Sequence, residues 1–180
     1  MTSTTTTTYV YDGDNIALEI TSDGTTTTKT FYTHGFGVDE PLAMEGGGSF
    51  YYYHADGLGS ITAITDAARN VRQRYTYDSF GMPKAATTFR NSYQFTSREW
   101  DRETGLYYYR ARYYDPMEGQ FISKDPLGIK GGINLYSYSL NNPINYTDPF
   151  GLGLEIYFRL LKLLLLTQLC MPHTEAMLKA

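Results

Sequence analysis

Two boxes of one kind lie in the last third of the chain: Asp125-Pro126-Leu127-Gly128 and Asp148-Pro149-Phe150-Gly151-Leu152. An aspartate before a proline, with a glycine two places after it, signals a turn. Proline fixes one φ, and glycine accepts a positive one. The repeat also supplies two carboxylates that a fold can bring together. Carboxylates sharing one site split their proton affinities, so that one serves as base while the other donates a proton. Just upstream, Tyr107-Tyr108-Tyr109-Arg110-Ala111-Arg112-Tyr113-Tyr114-Asp115-Pro116 offers a fixed cation for such a pair. The plainer reading is that both aspartates only cap their turns.

The elements that must position these residues are strands. The chain has 180 residues, 18 tyrosines, 9 phenylalanines and 17 glycines, which suits one domain of short twisted strands and tight turns. Each buried tyrosine ring must still find a partner for its hydroxyl. Residues 9–15 read as a strand entering an Asp-Gly turn, 16–20 as its return, and Ser22-Asp23-Gly24 as the next turn. Further strands are expected from Phe31, after the Gly46-Gly47-Gly48 tip, and over 61–65, 71–77, 106–114 and 136–139. Tyr75-Thr76-Tyr77 puts both rings on one face, since side chains alternate. Phe95-Thr96-Ser97 is expected to open a short helix or turn. Aromatic strand, acid-glycine turn and aromatic strand recur as a loose internal repeat.

Charge is uneven although the net value is only -4. Residues 1–56 hold eight acids and one base, and residues 69–112 hold nine bases and four acids. The scattered bases are expected to pair with acids elsewhere in the fold rather than to bind nucleic acid. The single cysteine, Cys170, can form no internal disulfide. His34 and His54 lack metal-ligand spacing, so neither a metal nor another cofactor is expected. Asp56-Gly57-Leu58-Gly59-Ser60 lacks the lysine of a phosphate loop. No signal peptide is visible at the N-terminus, which leaves localisation open.

Both ends differ in composition. Residues 1–8 are nearly all threonine and are expected to be a disordered lead-in. Residues 154–170 are leucine-rich, with Glu155, Arg159 and Lys162 on one helical stripe. A helix docked on the sheet is expected there in preference to membrane contact.

The stretches YYYHADGLGSITAITD, YTYDSFG, GLYYYRARYYDPMEGQF, SKDPLG and GGINLYSYSLNNPINYTDPFGL resemble the core of bacterial Rhs, or YD-repeat, proteins over nearly all of residues 9–152. That resemblance implies a mainly β fold of stacked YD-repeat hairpins, forming part of a β-shell that encloses a C-terminal payload. It implies YD-like hairpins over 9–88, the Rhs-associated core over 89–152 and a short variable, helical tail over 153–180. In the toxin-complex branch the core is an aspartyl autoprotease. Carried to this sequence, the two acids fall on Asp125 and Asp148, the supporting arginine on Arg112, and the cut between Leu152 and Gly153. The sequence departs from the pattern at Gln120, where the family usually has arginine, and in the 28 residues that follow Leu152, short for an enzymatic payload. The implied partners are a longer Rhs shell, the chain's own C-terminal segment, or a second copy met through open strand edges. The alternative to a self-cleaving cap is a non-catalytic structural or display module, or a truncated orphan fragment of such a protein.

Overall fold

Alternation of inward and outward side chains organises the first half. The computed structural model describes residues 4–85 and 88–153. Its first seven strands are, in order, β1 (Thr6–Asp12), β2 (Asn15–Ser22), β3 (Thr27–His34), β4 (Pro41–Gly46), β5 (Ser49–Ala55), β6 (Ile61–Asp66) and β7 (Val71–Arg74). Each pairs antiparallel with the next, in one seven-stranded meander. The β4–β5 turn is two glycines, Gly47 and Gly48, at φ 59 and 74. A two-residue hairpin turn with both centres left-handed matches the twist of its strands, and glycine adopts it without a Cβ penalty. β1 starts at Thr6, inside the segment expected to be disordered. β-branched threonines suit an extended backbone.

One face of the meander carries Ile16, Met44, Ile61 and Ile64. It packs on Tyr75 and Tyr93, with Tyr32, Tyr51, Tyr53 and Phe89 at the margin. The Tyr93 hydroxyl accepts the Ile16 amide at 2.9 Å, and the Ile61 amide donates to the Gln94 carbonyl at 2.9 Å. These bonds tie the meander to the second half of the chain.

The second sheet is smaller. β8 (Glu99–Asp101), β9 (Leu106–Tyr109), β10 (Arg112–Asp115) and β11 (Gln120–Phe121) stand in the order β11-β10-β9-β8. Its core is almost wholly aromatic: Phe95, Tyr107, Tyr109, Tyr114, Phe121 and Tyr138. Tyr114 and Tyr138 lie 4.4 Å apart between ring centroids, and Tyr109 meets Phe121 edge-on at 5.9 Å. Such tilted contacts suit the ring quadrupole. The hydroxyls find partners: Tyr107 donates to the Gly81 carbonyl at 3.0 Å, Tyr114 to the Phe80 carbonyl at 2.8 Å, and Tyr109 to the Tyr138 hydroxyl at 3.1 Å. Tyr75 is an exception, with a buried hydroxyl that bonds nothing among the described residues.

Two expected strands are corrected. Residues 106–114 form a hairpin rather than one strand, because Arg110 turns left-handed at φ 55. Residues 136–139 make only a single bridge, Gln120 to Ser137, before Ser139, Leu140 and Asn141 all take positive φ, which no strand accommodates. Phe95–Ser97 is a short 3₁₀ turn. The expected helix over 154–170 lies outside the described residues.

Gly81 fixes how the aromatic core meets the turn before it. It sits at φ 90, and a Cβ there would collide with the Phe95 ring. Gly81→Ala is expected to destabilise the fold by about 2 kcal/mol or more, through backbone strain and displacement of a buried ring. Chemical denaturation of the two forms measures this.

Candidate active site

Arg112 opens β10 on the buried face of the hairpin, opposite Tyr109. Its guanidinium lies over the Phe121 ring, 3.6 Å from the centroid. Nε donates to the Gly151 carbonyl at 2.6 Å and Nη1 to the Leu135 carbonyl at 2.9 Å. Nη2 faces both acids, 3.0 Å from Asp125 Oδ2 and 3.4 Å from Asp148 Oδ2. The fork does not close on one carboxylate, the bidentate geometry such pairs often adopt. One nitrogen is shared by two carboxylates, and the other two hold the chain in place.

Each aspartate divides its oxygens between two tasks. Asp125 Oδ1 accepts the Leu127 amide at 2.8 Å and so caps its own turn, leaving Oδ2 for the arginine. Asp148 Oδ1 accepts the Leu152 amide at 3.1 Å, and Oδ2 accepts the Gly153 amide at 2.9 Å. Turn capping and acid pairing are thus compatible. Gly128 and Gly151 close the two turns at φ 60 and 63. The segments also press on one another. A Cβ on Gly131 would collide with the Asp125 carboxylate, and one on Gly153 would collide with the Gly131 carbonyl. The Leu152–Gly153 peptide therefore sits on Asp148, and Gly131 packs between Gly153 and Asp125.

The site is dry. Arg112, Asp125 and Asp148 are 3%, 6% and 1% exposed, so charge is costly there. Burial pushes the Asp148 carboxyl above the usual aspartate value, with Asp125 adding to the rise; the two amides and Arg112 only partly oppose it. Burial also lowers Arg112, against the pull of both carboxylates. A raised aspartate beside a second aspartate and a fixed cation is suited to hold a proton and deliver it.

Arg112, Asp125 and Asp148, the three residues singled out by sequence, stand together, and Asp148 reaches the amides of Leu152 and Gly153. Other polar and aromatic residues have partners elsewhere. Asp115 caps a turn through the Met117 amide at 2.8 Å. Trp100 packs on Tyr107 at 4.6 Å. His34 contacts the Ile16 carbonyl at 3.0 Å, and His54 the Thr65 hydroxyl at 2.9 Å. Gln120 is exposed at the start of β11.

Sequence reasoning singled out no partner for Arg98 and Arg110, which meet on Asp39 from the β3–β4 turn. Asp39 Oδ1 lies 2.6 Å from Arg98 and 2.7 Å from Arg110. No local motif announces a pair so distant in the chain. The separation of acids in 1–56 from bases in 69–112 is the one signal that could have found it. The expected pairing of these bases with acids elsewhere is present at Asp39, at Glu19 with Arg90, and at the Arg112 site.

No family model matches the chain. It is 35% identical over 153 residues to the tRNA3(Ser)-specific nuclease WapA of Bacillus spizizenii, covering 81% of this chain and 6% of that protein. It is 35% identical over 109 residues to the double-stranded DNA deaminase toxin A of Burkholderia cenocepacia, covering 57% of this chain and 8% of that one. Among solved structures, TcdB2-TccC3 without its hypervariable C-terminal region superposes with a TM-score of 0.69 at 25% identity, over 83% of this chain and 8% of that one. The chain is similar to one segment of much longer proteins, among them bacterial toxins, and spans less than a tenth of each of these three.

Proposed function

We propose that this chain is the core segment of an Rhs-type toxin protein, and that it cuts its own backbone between Leu152 and Gly153. One observation carries the reading: Asp148 Oδ2 accepts the Gly153 N–H at 2.9 Å, which puts the carboxyl within reach of the nitrogen that would leave, while sharing Arg112 with Asp125. Water adds to the Leu152 carbonyl carbon as Asp125 accepts its proton. Asp148, protonated, gives its proton to the Gly153 nitrogen as the C–N bond breaks. The products are a carboxylate on Leu152 and an amine on Gly153. No separate substrate pocket is needed, because the chain presents its own bond at high effective concentration.

The comparisons support the setting. A nuclease and a deaminase with different named activities share this segment, which suits a common processing or delivery part rather than the toxic chemistry itself. The structural likeness holds in a form lacking the hypervariable region, which fits a core that precedes the payload. The partners in this reading are a longer shell of the same protein and the segment after Gly153. A purely structural role is favoured by the Oδ1 contacts that cap both turns.

Mass spectrometry of the purified chain separates the two readings. Self-cleavage gives a product ending at Leu152; the structural role gives the intact mass only. The pH dependence comes from Asp148. Its affinity for the proton is raised, so the donor form is complete below the ordinary aspartate value and is lost as pH rises through the raised one. Cleavage is expected to be faster at pH 5 than at pH 8, measured as fragment formed over time. A rate that climbs with pH would remove Asp148 from the role of acid.

A further inference from the structure

We propose that Asp39 and Arg110 form a positioning device for the scissile segment, so that cleavage depends on docking of the β3–β4 turn. The inference rests on the self-cleaving reading and adds to it residues outside the acid pair. Both residues are left-handed, each at φ 55, a conformation that costs about 1–3 kcal/mol for a residue other than glycine and persists where its surroundings impose it. They face each other. The Asp39 carboxylate is 8% exposed and the Arg110 side chain 12%. Arg110 Nη2 lies 2.7 Å from Asp39 Oδ1, and Nη1 lies 3.3 Å from Oδ2, the two-pronged contact that fixes a guanidinium in direction as well as place.

What Arg110 then holds is the segment leading to the cut. Its Nη1 also donates to the Pro149 carbonyl, and its guanidinium lies 5.0 Å from the centre of the Phe150 ring. The next residue, Ala111, donates its amide to the Phe150 carbonyl at 3.3 Å. Arg112 Nε takes the Gly151 carbonyl at 2.6 Å. Three successive residues, Arg110 and Ala111 of the β9–β10 turn and Arg112 at the start of β10, therefore grip three successive carbonyls, and the next carbonyl along is that of Leu152. Asp39, in the β3–β4 turn, ties this arrangement to the seven-stranded meander. Arg98 anchors it from the other side, at 2.6 Å. Without Asp39, the carboxylate left to Arg110 among the described residues is exposed Asp14, at 3.7 Å.

The test has two readouts. In a chain carrying Asp125→Asn to prevent cutting, Asp39→Asn is expected to speed amide exchange of Ala111, Leu152 and Gly153 by about tenfold or more. The amides of Tyr107 and Tyr114 lose less, because Arg98 keeps its bonds to the Tyr108 carbonyl and its contact with Glu99. In the cutting chain, Asp39→Asn slows release by a similar factor without moving its pH midpoint, and Asp39→Glu restores part of the rate. Unchanged exchange at Leu152 and Gly153, or an equal loss of protection throughout the second sheet, would overturn the proposal. If the unaltered chain shows no cleavage while Asp39→Asn still loosens those amides, the self-cleaving reading fails and the positioning role stands.

Discussion

Asp148→Asn is expected to leave the chain uncut under conditions in which the unaltered chain yields its product ending at Leu152. Asparagine keeps the size of the side chain and one carbonyl acceptor, which can still serve the Leu152 amide. It cannot carry the proton that the Gly153 nitrogen needs. It also turns an amide NH₂ toward Arg112 Nη2 and the Gly153 amide, both donors in the native site. Loss of a positioned acid lowers rates by about 10²–10⁴-fold, enough to remove the fragment from any practical time course. Asp115→Asn is the control. It belongs to a third Asp-Pro step, caps its turn through Met117, and stands outside the site, so its cleavage is expected to match that of the unaltered chain. Equal cutting by the Asp148 variant would end the aspartyl mechanism.

The second large effect is on stability. The Arg98 side chain is fully buried. Its Nε and Nη2 donate to the Tyr108 carbonyl at 3.0 and 2.8 Å, its Nη1 to Asp39 at 2.6 Å, and Nη2 approaches Glu99 at 3.5 Å. Burial works against its charge, yet Asp39 and Glu99 together outweigh burial and hold its proton affinity above the usual guanidinium value. Arg98→Met fills similar space but strands the Asp39 carboxylate and the Tyr108 carbonyl. Breaking a buried pair in this way costs about 3–5 kcal/mol, or a fall in melting temperature of roughly 10 °C for a domain of this size. Arg98→Lys keeps the charge without the planar fork and should fall between. Thermal unfolding followed by circular dichroism orders the three. A loss under about 1 kcal/mol for Arg98→Met would mean that Arg110 alone compensates Asp39.

The hairpins were legible because their signals are local. Asp12-Gly13, Ser22-Asp23-Gly24 and Gly46-Gly47-Gly48 announce turns by residue type, and the strands between them alternate. The acid pair was legible through its repeated box. What escaped was conformation that the residue type does not encode. Arg110 at φ 55 breaks a run of tyrosines that otherwise looks like one strand. Ser139, Leu140 and Asn141 turn left-handed together after an alternating Tyr-Ser-Tyr-Ser run. Arg110 is bent to meet Asp39, seventy-one residues away in sequence, and no window along the chain contains both. The shared use of Arg112 Nη2 by two acids is likewise a property of three segments meeting, not of any one motif.

In a chain that cuts itself, the grip of residues 110–112 on the carbonyls of Pro149, Phe150 and Gly151 would act as a ruler in place of a specificity pocket. Under the self-cleaving reading, the bond to be cut is selected by counting peptide units from a fixed mark, with backbone groups as the graduations. Inserting one residue between Asp148 and Gly151 would move the cut by one place or abolish it. Exchanging the side chains after Gly153 would leave the measurement untouched. A device that reads length rather than sequence can serve any cargo joined beyond its last graduation.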